Sequence, residues 1–96
     1  MKTLVLITEH IDSQQAQWQV DKIMAAIAYD LDLSLVFMYE GLTQLENKAY
    51  SNLSLYGIEH VFYLKQQEQI TQSLVNAQSI NLQDLKHLIQ QADLVL

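Results

Sequence analysis

His10, Glu40 and Ser13 are the residues with which this chain could do acid–base chemistry. A histidine acting as general base needs a nucleophile or an acidic orienter within hydrogen-bond reach. Glu9, Glu40 and Ser13 are the candidates for that role, and a His10–Glu40 acid–base pair is the enzymatic reading. The simpler reading is an exposed loop histidine, with Glu40 solvated or starting the turn at Leu42. His60 opens a strand and His87 sits beside Lys86 on a helix, where packing or solvent explains both. Positions 10, 60 and 87 have no metal-ligand spacing, so neither a metal nor another cofactor is expected. The loop Thr8 to Ser13 occupies the place of a phosphate loop. It has no glycine and carries Glu9 and Asp12, which argues against nucleotide binding.

Composition narrows the classes further. With 96 residues the expectation is one domain, 1–96. Half the residues are hydrophobic and only 17% are charged, an apolar excess that suits burial against another subunit. The net charge is −6 and every basic residue is a lysine. Without arginine there is no planar fork for phosphate. Direct nucleic-acid binding by this chain alone is therefore not expected. The absence of cysteine excludes disulfides, thiolate metal sites and a persulfide carried on this chain. No apolar stretch reaches the length of a membrane span. The start Met1 to Ile7 resembles a signal peptide, but Glu9 and Asp12 follow at once; it reads as the first strand of a cytoplasmic protein.

The elements that must position these residues follow from the apolar pattern. Leu4 to Ile7 reads as a buried first strand. Asp12, with Gln15 three residues on, predicts the start of a helix. Ala16, Val20, Ile23, Met24, Ile27 and Leu31 repeat at helical spacing along it. Leu33 to Tyr39 is a nearly unbroken apolar run that stops at Glu40-Gly41. Such a run fits a strand covered on both faces, as in a parallel sheet. Leu42 and Leu45 suggest a brief helical turn. Ala49, Leu53 and Tyr56 continue at helical spacing, and Gly57 stands where a left-handed residue closes a helix. Ile58 to Leu64 is the third strand, centred on Val61 to Leu64. Lys65 to Gln69 reads as a polar loop, and Leu74 to Ala77 as a short fourth strand. Asn81 caps a last helix whose Leu82, Leu85, Leu88, Ile89 and Ala92 face inward. Leu94 to Leu96 is the closing strand. The alternation gives an α/β class with a mainly parallel sheet of about five strands and helices on both faces. In such sheets ligands and partners gather at the carboxyl ends of the strands.

Three segments carry a family resemblance. Asp32-Leu-Ser-Leu-Val-Phe-Met-Tyr-Glu-Gly-Leu42, followed by Gln44-Leu45, resembles the second-strand ending of the DsrE/DsrF/DsrH-like sulfur-relay family. There a strand runs into Asp-Gly-Val and a Gln-Leu-type helix. Leu55-Tyr-Gly-Ile-Glu-His-Val-Phe-Tyr63 is similar to the segment leading into strand three in the TusC (DsrF-like) branch, and Ala92-Asp-Leu-Val-Leu96 to that branch's closing strand. The resemblance spans nearly the whole chain. It implies a small flavodoxin-like (DsrEF-like) sheet and an oligomer. The family's relay complexes combine TusB-, TusC- and TusD-type chains and pass persulfide sulfur towards 2-thiouridine at the tRNA wobble position; related members serve other sulfur trafficking.

The resemblance also implies a role. The relay cysteine belongs to the TusD (DsrE-like) chain, near the end of strand three. The matching region here, Tyr63-Leu64-Lys65, has none. The start of the first helix lacks the family's small residues, and Lys65 to Thr71 lacks its usual arginine and glycine. The expectation is a non-catalytic subunit partnering DsrE/TusD-like and DsrH/TusB-like chains. Its partner- or ligand-facing candidates are His10, Glu40, Gly41, Tyr63, Leu64, Lys65 and Gln66. The alternative is a stand-alone homo-oligomer binding a small ligand at the carboxyl ends of the strands.

Overall fold

The computed structural model describes residues 2–64 and 74–96. Five strands are present: β1 (Lys2–Ile7), β2 (Asp32–Phe37), β3 (His60–Leu64), β4 (Gln78–Ile80) and β5 (Leu94–Val95). Every pairing is parallel, in the order β4-β3-β2-β1-β5. This is the α/β architecture that the alternation of apolar runs predicts.

Parallel neighbours demand crossovers, and these cover both faces. Alternate side chains of β1 to β3 divide between two cores. Val5, Ile7, Leu35, Phe37 and Val61 pack with Val20 and Ile23 of helix α1 (Gln14–Ala28). Three short 3-10 helices, Tyr39–Glu46, Lys48–Tyr50 and Leu53–Tyr56, add Leu45, Tyr50 and Leu53 to that core. Leu4, Val36, Met38, Leu64 and Ile80 face the other way, onto Leu85 of helix α2 (Leu82–Gln91).

Helix ends follow local chemistry. Ser13, not Asp12, caps α1: its hydroxyl accepts a bond from the Ala16 amide at 3.1 Å. Asp12 is displaced because its own amide donates to His10 Nδ1. The helix closes through Asp30, in the left-handed region at φ 59°. The Leu31 and Asp30 amides then reach the Ala26 and Ile27 carbonyls, the paired bonds of a Schellman ending. Gly57, at φ 83°, does the same work after Leu53–Tyr56, as its position in the sequence suggests. Asn81 and Asp84 cap α2 reciprocally.

Other expectations shift as well. The second strand ends at Phe37, because Tyr39 enters a 3-10 helix with φ 54°. The fourth strand is Gln78–Ile80, not Leu74 to Ala77; Val75 and Ala77 are apolar because they pack into the α1-side core before the strand begins. On α2 only Leu85 is buried, with Leu88 and Ala92 half-buried; Leu82 and Ile89 face solvent, as does Leu31 beyond α1.

Candidate functional site

The carboxyl edge of the sheet is built around one backbone contact. The 3-10 helix Tyr39–Glu46 crosses the end of β1 so closely that a Cβ on Gly41 would lie 1.7 Å from the Ile7 carbonyl oxygen. No side chain fits in that space, so glycine is required by the approach of two backbones rather than by its dihedral angles. Beside it the Met38 amide donates to the same Ile7 carbonyl at 3.0 Å, extending the β1–β2 ladder by one rung.

Two side chains then tie the 39–46 segment to the loop after β1. Gln44 is fully buried, and its Nε2 donates to the Glu9 carbonyl at 2.8 Å. Thr43 Oγ1 accepts from the Ile11 amide at 2.9 Å and donates to the Glu40 carbonyl at 2.7 Å. A buried carboxamide with its donor satisfied fixes the loop, because breaking the bond would strand polar atoms out of water. Gln44 and Thr43 are therefore the positioning residues of this edge. Gln44 appears in the sequence only as part of a family-like motif, since one buried glutamine has no periodic signature.

His10 lies at this edge, on the loop after β1. Its Nδ1 accepts a bond from the Asp12 amide at 3.1 Å and stands 3.7 Å from Asp12 Oδ2. Its carbonyl accepts from both the amide and the hydroxyl of Ser13, at 2.9 and 2.7 Å. The ring and main chain of His10 thus organise the start of α1. Among the described residues the carboxylate beside His10 is that of Asp12, and no hydrogen bond or ion pair joins His10 to Glu40. Glu40 is exposed at the start of its 3-10 helix.

Tyr63 and Leu64 end β3 at the same edge. Leu64 is buried in the α2-side core, and Tyr63 is half-buried against the opposite core. Lys65 and Gln66, and the polar loop expected over Lys65 to Gln69, lie outside the described residues. Tyr39 is an addition that the sequence did not single out. Its ring is 57% exposed on a backbone in the left-handed region, where a bulky side chain is strained.

Among the described residues, two open clefts lie at the amino edge. One, of about 340 Å³, runs between the end of α1 and the start of β3, with Leu31, Tyr56 and Glu59 on its walls. The other, of about 140 Å³, lies under the end of α2 and against Lys2, Asp32, Ser34 and His60. His60 and Asp32 border both clefts. Among the described residues no group of three histidine or carboxylate side chains could hold a metal ion. No helix of these residues is long and apolar enough to cross a membrane. A scan of protein-family models finds no match to this chain, and a search of curated proteins finds no relative.

Proposed function

We propose that this chain is a non-catalytic, TusC/DsrF-like subunit of a persulfide sulfur relay, serving wobble 2-thiouridine formation or related sulfur trafficking. Its partner would be a cysteine-bearing DsrE-like chain, with a DsrH-like chain completing the assembly. One observation carries the reading. The residues that bear the family resemblance between 32 and 45 are the ones that build the carboxyl edge. Gly41 admits the close crossing over Ile7, and Gln44 pins the loop after β1. Both are buried and hold that edge in place, on a chain with no cysteine to carry sulfur. That combination suits a wall of a relay pocket whose reacting sulfur comes from another chain.

Exposed apolar side chains add support for assembly. Tyr39 and Leu74 are open to solvent, as are Leu94 to Leu96 along the β5 edge. The test is capture of the tagged chain from its native cells at moderate salt, with mass spectrometry of what stays bound and light scattering of the eluate. Recovery of a cysteine-bearing chain of the same fold in fixed stoichiometry is expected. Recovery of this chain alone, as a homo-oligomer, would overturn the relay role in favour of a stand-alone ligand-binding domain.

A further inference from the structure

We infer that the smaller amino-edge cleft binds a small zwitterion of the α-amino-acid class, an inference independent of the relay reading. The cleft holds two rungs of side chains on the α2-covered face. Lys2 and Asp32 are register partners on β1 and β2. One rung further on, Ser34 and His60 are partners on β2 and β3. Face assignment follows from alternation: Leu4, Val36 and Leu64 belong to the α2-side core, so Lys2, Asp32, Ser34 and His60 share that side. Gln91 of α2 borders the cleft from the helix side, and Phe62 and Leu88 supply apolar contact.

The charges select the ligand. Lys2 and Asp32 stand on strands about 4.8 Å apart, the spacing of neighbours in any sheet. Yet among the described residues neither the Lys2 ammonium nor the Asp32 carboxylate has an ion-pair or hydrogen-bond partner. A simple anion would meet Asp32 and the negative end of the α2 dipole. A simple cation would meet the Lys2 ammonium. A metal lacks a ligand set. A nucleotide needs a pocket of several hundred Å³, more than the 140 Å³ here. A molecule carrying carboxylate and ammonium on one carbon satisfies both charges at once. Ser34, His60 and Gln91 are left to bond its remaining polar atoms, and Phe62 and Leu88 to cover its side chain.

The test is an amide-resolved NMR titration of the full chain with alanine. Propionate and ethylammonium, which each lack one of its charges, serve as controls. Alanine should move the Ser34, His60 and Gln91 amides and leave Gly41 and Gln44 unmoved. Each control should bind at least about tenfold more weakly, the usual cost of removing a charged hydrogen bond. Lys2→Met and Asp32→Asn, both at exposed positions, should weaken alanine to the same extent while the rest of the amide spectrum stays native. Equal responses to the three probes, no response to alanine, or undiminished alanine binding by both variants would overturn the inference. Because the readout sits at the amino edge, failure here leaves the relay assembly untouched, and loss of the relay partners leaves this titration unchanged.

Discussion

Tyr50 is where burial and polarity conflict most sharply. Its side chain is fully buried, and its ring meets Phe37 edge to face with centroids 5.5 Å apart. Its hydroxyl is buried without a hydrogen-bond partner. An unsatisfied buried hydroxyl costs about 1–3 kcal/mol. Removing it while keeping the ring should therefore raise stability: Tyr50→Phe is expected to gain about 1 kcal/mol at neutral pH in urea unfolding. Burial also pushes the Tyr50 hydroxyl well above its ordinary pKa of 10.0. Below pH 10 both folded and unfolded chains keep the proton, and stability is insensitive to it. Above pH 10 the unfolded chain releases the proton and the folded chain does not, so stability falls as pH rises towards the folded value. Tyr50→Phe should remove this alkaline loss. Urea midpoints at pH 7 and above pH 10 measure both effects, and a Phe variant less stable than the parent at pH 7 would show that the hydroxyl is satisfied in solution.

At the scale of elements, the start of α1 separates what the sequence carries from what only the fold supplies. Either Asp12 or Ser13 has the right chemistry for a cap, and Gln15 favours Asp12 on spacing. The choice falls to Ser13 because His10 holds the Asp12 amide and because Ser13 bonds back to the His10 carbonyl. Ser13→Ala should cost about 1 kcal/mol, whereas Asp12→Ala should leave the thermal midpoint nearly unchanged; the reverse order would return the cap to Asp12. The same logic explains what was legible elsewhere. β1, α1, β2 and β3 announce themselves because each buries a continuous or periodic set of side chains against the sheet. The capping box at Asn81 and the left-handed Gly57 are equally local signals. β4 has no apolar signal of its own because an edge strand exposes Gln78 and Ser79, while the apolar run before it reflects Val75 and Ala77 packing into the core. Continuous helical spacing across Ala49, Leu53 and Tyr56 breaks into 3-10 turns that bury Tyr50 and Leu53 and expose Tyr56. At the carboxyl edge Gly41 and His10 were visible as positions. Their work was not, because it depends on contacts to Ile7, Asp12 and Ser13 that only the folded chain brings about.

The whole molecule is held by two cores sharing one sheet, and they are unequal. The α1 side gathers helix, 3-10 turns and strand residues, whereas α2 contributes a single buried side chain, Leu85, to the other. The interior strands feed both: Val5 and Ile7 point one way and Leu4 the other; Leu35 and Phe37 one way and Val36 the other. A strand cannot keep one face packed once its ladder loosens, so loss of either cover should unfold both. A chain of this size, burying only about 60–70% of its unfolded surface, has little stability to spare for a half-folded form. Leu85→Ala and Ile23→Ala should then each cost about 3 kcal/mol, although α2 is the smaller element. Both variants should melt in one transition, with far-ultraviolet circular dichroism coinciding with loss of amide protection in β2. A Leu85→Ala chain that exposes α2 amides to exchange while those of Leu35 and Phe37 stay protected would mean that the two faces are separate cooperative units. In that event α2 could detach from a sheet still supported by α1. The amino-edge cleft, whose helix wall is the end of α2, would open in the same step, and alanine binding would fall in that variant alone.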